Sequence, residues 1–122
     1  MAPRSIIFLE IPAADTKIEV EFFTHLLGWR STFVDPSSSY AIFQAGNFEG
    51  GFAHLDENFK PGDIVPYVES EDIEADLRQV ESLGGRTLAP KTEIPGYGWY
   101  GWFADPAGNR IGLYTRVPGP AA

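Results

Sequence analysis

No cysteine occurs among the 122 residues. Disulfides, thiolate nucleophiles and cysteine-ligated zinc are therefore excluded, although the absence does not by itself fix a compartment. Positive charge is scarce as well: nine Lys and Arg stand against seventeen Asp and Glu, a net charge of -8. Neutralising a phosphate backbone needs clustered Lys and Arg, so this balance argues against a nucleic-acid partner. It argues equally against adsorption to an anionic membrane. The apolar run near the N-terminus, Ile6-Ile7-Phe8-Leu9, is interrupted by Glu10. It is too short and too polar for a signal segment or a membrane-spanning helix. The expectation is a soluble, cytoplasmic protein.

What is present is a 43% hydrophobic chain with ten prolines, thirteen glycines, nine Phe, five Tyr and three Trp. That length and composition fit one globular domain over residues 1–122. Many turns and a bulky aromatic interior point to a sheet-rich fold.

Ser5 to Ile11 reads as a strand ended by Pro12. Asp15 is a candidate N-cap for a helix from Thr16 to Leu27, where Ile18, Phe22 and Leu26, with Phe23 and Leu27, give an apolar stripe. Gly28 is placed to stop it. Trp29 to Val34, Tyr40 to Ala45 and Glu49 to Leu55 read as three strands, separated by turns at Asp35–Ser39 and Gly46-Asn47. A polar linker, Asp56 to Asp63, follows. The order then restarts. Ile64 to Glu69 is a strand, and Asp72 caps a helix over Ile73 to Leu83 with the stripe Ile73, Leu77 and Val80. Gly84-Gly85 ends it, and Arg86 to Ala89, Gly98 to Ala104 and Ile111 to Thr115 are strands. Asp105-Pro106-Ala107-Gly108-Asn109 forms the hairpin turn between the last two. The tail, Val117 to Ala122, is expected to fray.

Laying Asp15 on Asp72 also lays Gly28 on Gly85, Phe8 on Val65 and Glu10 on Tyr67. The chain is thus a tandem of two βαβββ modules, about 5–56 and 63–116. The fold class is α+β. Two such modules are expected to share one curved mixed sheet around a concave cleft, with helices on the outer face.

The run Ile94 to Tyr114, and above all Asp105-Pro106-Ala107-Gly108-Asn109 followed by an apolar strand, resembles the C-terminal signature of the vicinal oxygen chelate superfamily. That superfamily includes glyoxalase I, bleomycin-resistance proteins and extradiol dioxygenases. Glu10 to Asp15, Phe22-Phe23 with Leu27-Gly28-Trp29, and Leu83-Gly84-Gly85 add matches in order along the chain. In metal-dependent members, the resemblance implies, four strand positions supply His and Glu to one divalent ion. Carried over by position, those sites fall at Phe8, Gly51, Val65 and Gly112. None carries a donor side chain, so no cofactor is expected, a divalent metal being the alternative.

A relocated polar set would be Glu10, His54 and Glu69, able to bind a metal or serve in acid–base catalysis. The other reading of these three is that they end strands at the solvent rim. His25, on the helix beside Leu26, reads as structural. The aromatic set Phe8, Phe52, Tyr67, Tyr97, Trp99, Trp102 and Tyr114 supplies ring-lined candidates for ligand binding, Phe8, Phe52, Tyr67, Trp99 and Tyr114 foremost. Trp99 and Trp102 have odd spacing, so only one of them can face a given side.

Two functions follow as expectations. One is metal-free binding of a small, partly aromatic or apolar molecule, as in bleomycin-resistance-like proteins. The alternative is a lyase, isomerase or dioxygenase-type enzyme built on relocated ligands or acid–base residues. The resemblance also implies a homodimer.

Overall fold

A computed structural model describes residues 2–35 and 39–117. The expected turn at 35–39 therefore lies partly, and the tail from 118 wholly, outside the described residues. Eight strands and two helices occur within them, in the order β1 (Ile6–Ala13), α1 (Thr16–Leu27), β2 (Arg30–Phe33), β3 (Tyr40–Ala45), β4 (Phe48–His54), β5 (Val65–Glu69), α2 (Ile73–Ser82), β6 (Arg86–Ile94), β7 (Gly98–Ala104), β8 (Arg110–Arg116). The α+β class and the repeated βαβββ order are as the sequence predicts. None of the helices is long and apolar enough to cross a membrane.

The chain divides into two compact units, Ile7–Pro66 and Tyr67–Ala122 with Met1–Ile6. In the first, the strands run β2-β3-β4-β1, with β1 and β4 parallel and the other neighbours antiparallel. In the second they run β6-β7-β8-β5, with β5 and β8 parallel. Each unit therefore closes its first strand onto its last, and the helix supplies the crossover that parallel pairing requires.

Both caps work as the residue types dictate. Asp15 accepts from the backbone N–H groups of Lys17 and Ile18, and Asp72 from that of Ala75. Gly28 ends α1 at φ 72, the left-handed conformation in which a Cβ is strained. At the end of α2 it is Gly84, not Gly85, that turns left-handed, at φ 98.

Strand β6 runs five residues past its predicted end, through Pro90. It lies at the end of the strand order and carries register shifts between Thr87 and Thr92. A proline without an N–H is tolerated at such an edge, where a bulge breaks the ladder anyway.

The core of the first unit is aromatic. Phe43 and Phe52 are 1% and 0% exposed. Phe23 stacks on Trp29 (4.9 Å between centroids) and on Phe52 (5.4 Å), and Trp29 stacks on Phe43 (4.6 Å). This ring stack pulls α1 down by Val20 and Phe23. The stripe Ile18, Phe22 and Leu26 is turned outward, correcting the sequence expectation that it is the packed face. In the second unit the predicted stripe does pack: Ile73 and Leu77 are buried with Leu113, and Val68, Trp99 and Phe103 close around them.

The second unit also holds the chain's N-terminal residues. Arg4 donates from both terminal nitrogens to Asp76 (2.6 and 3.2 Å), Ser70 donates to the same carboxylate (2.6 Å), and Glu69 N–H donates to the Ser5 carbonyl (3.1 Å). Burial pushes the Asp76 carboxyl up, but the hydrogen bonds from Arg4 and Ser70, with the Arg4 charge, outweigh it and set it below the ordinary aspartate value. A carboxyl depressed on folding stabilises above its unfolded value and loses that contribution as pH falls through its folded value. Asp76→Asn is therefore expected to cost about 1–2 kcal/mol at pH 7. In urea melts, the gap from wild type should close below about pH 4. A gap that stays constant down to pH 2 would show that the Asp76 charge contributes nothing.

Candidate functional site

In each unit the strands have one face under the helix and one facing away. The outward face of the first unit carries Glu10 and Gly51, which are register partners across β1 and β4. Phe8 shares that face by alternation and is half-buried. Tyr40, opposite Ala53, stands diagonal to Gly51 on the same side. Its phenol donates a 2.8 Å hydrogen bond to Glu10 Oε2. A Cβ built on Gly51 would run into the hydroxyl end of the Tyr40 ring.

The second unit repeats the device with different partners. Tyr67 and Gly112 are register partners across β5 and β8, and a Cβ on Gly112 would fall inside the Tyr67 ring. Trp102 pairs with Gly112 from the other side and donates its indole N–H to the Tyr67 hydroxyl at 2.8 Å. Tyr114 meets Tyr67 edge-on at 6.5 Å, and Tyr100 lies 5.3 Å from Trp102. Arg110 sits over Trp102 (4.6 Å to the ring centre) and Arg116 over Tyr114 (5.9 Å). Rings and guanidiniums alternate along one face here. Tyr67 is its buried floor, 6% exposed, while Tyr100, Trp102, Tyr114 and Arg110 are half-buried.

A metal ion does not fit the positions the family pattern assigns. Phe8, Gly51, Val65 and Gly112 offer no side-chain donor, and tyrosine rings fill the space beside both glycines. Val65 is itself buried, 1% exposed. Among the described residues, no group of three His, Asp or Glu could hold an ion.

Within the first unit, Glu10 and His54 of the relocated set are not brought together. His54 shares the helix-side parity of Phe52, whereas Glu10 points the opposite way, because Glu10 pairs with Gly51 and Ala13 with His54. His54 is exposed at the end of β4, and Glu69 is exposed beside Tyr114. Among the aromatic candidates, two are corrected. Phe52 lies in the stack under α1, and Trp99 packs on the Ile73–Leu77–Leu113 cluster under α2. Both are on helix-side parity; Phe52 fills core, and Trp99 is half-buried against the cluster with Lys91 over its ring at 5.3 Å. Trp102 is the tryptophan of that pair that faces away from the helix. Tyr97 lies in the loop before β7, where its carbonyl accepts from the Tyr114 hydroxyl at 3.2 Å. His25 is exposed and its Nδ1 bonds the Glu21 carbonyl at 2.8 Å.

Sequence reasoning missed Tyr40, Tyr100, Arg110 and Arg116. The signal for the arginines was available: both sit an even number of residues from Gly112 on one strand. Tyr40 was not accessible that way, since its position over Gly51 depends on the register of the β3–β4 hairpin.

The family model for the glyoxalase-like domain matches residues 7–114. The anthracycline biosynthesis protein DnrV of Streptomyces peucetius is 25% identical over 132 aligned positions, covering 94% of this chain. The match takes in 48% of that protein, so the chain spans about half the length of the curated relative. Among solved structures, a methylmalonyl-CoA epimerase from Mycobacterium tuberculosis has a TM-score of 0.72 at 18% identity, covering 97% of this chain and 94% of that one. A glyoxalase/bleomycin resistance protein/dioxygenase superfamily member from Vibrio splendidus has a TM-score of 0.68 at 13% identity, covering 93% and 99%. At such identities the structural likeness speaks for the fold alone.

Proposed function

The chain belongs to the glyoxalase-like domain family, and from that premise we propose that it binds a small, planar aromatic molecule on the outward face of β5, β7 and β8, without a metal ion. The observation that carries this reading is the row Tyr100, Trp102 and Tyr114, braced by Tyr67 and topped by Arg110 and Arg116. Half-buried rings give a planar ligand apolar area and stacking partners at little entropic cost. Guanidiniums over such rings add positive charge at the edge of the row. The relative named for anthracycline biosynthesis supports the same ligand class, since anthracyclines are built on planar fused rings.

The test uses anthraquinone-2-sulfonate, a planar anionic probe, in isothermal titration calorimetry. Trp102→Ala is expected to weaken binding at least about tenfold, equivalent to about 1.4 kcal/mol. A chelator should leave the affinity unchanged. Trp99→Phe, altered under α2, should bind as wild type once circular dichroism confirms that it folds. Equal affinity in wild type and Trp102→Ala would remove the ring face as the site.

A further inference from the structure

Helix α1 is apolar on two opposite sides. Val20 and Phe23 pack on the ring stack. Ile18, Phe22 and Leu26, at i, i+4 and i+8, are 65%, 56% and 63% exposed on the other side. Several large side chains exposed in one stripe mark an interaction surface rather than ordinary scatter.

The border of the stripe indicates what covers it. Asp15, Glu19 and Glu21 flank these residues, and Lys17 is the only Lys or Arg in the helix. A second copy has no Lys or Arg in this helix besides Lys17 to set against Glu19 and Glu21, and each copy carries -8. We propose that the outer face of α1 docks an amphipathic helix of another polypeptide, one whose apolar stripe is bordered by Lys or Arg. The apolar stripes supply the buried area, and the basic borders of the partner meet Glu19 and Glu21. This surface is on the helix and does not depend on the ring face.

Two labelled synthetic helices of about twenty residues, long enough to fold when docked, test the proposal. Both carry leucine at i, i+4 and i+8; one has lysine at the borders, the other glutamate. Fluorescence anisotropy should show the lysine peptide binding at least about tenfold tighter. Phe22→Gln, 56% exposed in the stripe, should weaken that peptide about tenfold once circular dichroism confirms that it folds. Glu19→Lys with Glu21→Lys should reverse the preference between the peptides. Equal binding of the two peptides, or binding unchanged by Phe22→Gln, overturns the proposal. So does failure of the lysine peptide to bind. Sedimentation of the unliganded chain as a dimer that Phe22→Gln dissociates assigns the face to a second copy instead, and overturns it too.

Discussion

Phe52→Ala is expected to destabilise the protein by about 3–5 kcal/mol, the cost of deleting a buried aromatic ring from a site that cannot collapse. Phe52 is 0% exposed and stands between Phe23 and Phe43, in a stack that continues to Trp29. Removing the ring leaves Phe23 and Phe43 with Trp29 alone to stack on and opens a void under α1. Because Phe23 is the residue by which α1 meets this stack, the helix is expected to loosen with it. Urea unfolding followed by circular dichroism measures the loss. Phe52→Leu keeps most of the volume, should cost much less, and should bind the anthraquinone probe as wild type does. A Phe52→Ala protein as stable as wild type would mean that the ring is not in the core. A Phe52→Leu protein that folds but loses the probe would return Phe52 to the ligand.

Gly112→Ala carries the second large effect, a loss of about 1–3 kcal/mol from overpacking. The added methyl meets the root of the Tyr67 ring, at Cγ, Cδ2 and Cε2, so no flexible tip can swing aside. Tyr67 is buried and its hydroxyl is tied to the Trp102 indole, which leaves it nowhere to go. Gly51→Ala should cost less, because the methyl there meets the far end of Tyr40, which can rotate away by giving up its bond to Glu10. Pairing Gly112→Ala with Tyr67→Ala should recover part of the sum of the two single losses, since the clash exists only when both side chains are present. Strict additivity in thermal melts would mean that Tyr67 does not occupy the space beside Gly112.

The two glycine substitutions bear on one structural point. The two positions that the resemblance points to, Gly51 and Gly112, are not merely without donors. Each is overlaid by a tyrosine whose hydroxyl bonds a neighbour, Glu10 in one unit and Trp102 in the other. Placing a ligating residue there requires the ring to leave first. Installing His at Gly112 alone would therefore strain the fold before it could offer a nitrogen to an ion.

The sequence by itself determined the order of elements, the caps at Asp15 and Asp72, the stop at Gly28 and the turn at Asp105. Those depend on local backbone chemistry: a carboxylate reaching free N–H groups, a residue without Cβ in a left-handed turn, a proline and an asparagine closing a hairpin. It also determined that Phe8, Gly51, Val65 and Gly112 hold no metal donor, because that is a matter of residue type. Only the tertiary structure decided which face each residue serves. Phe22 and Phe23 are neighbours in an apolar helix, and the pattern alone reads either as inward; the ring stack of Trp29, Phe43 and Phe52 selects Phe23. Trp99 and Trp102 are both plausible linings until the register of β7 against β8 sets Trp102 beside Gly112. Side-chain period in a strand is two, so a register offset of one residue exchanges core for surface, and register is fixed by partners distant in the chain.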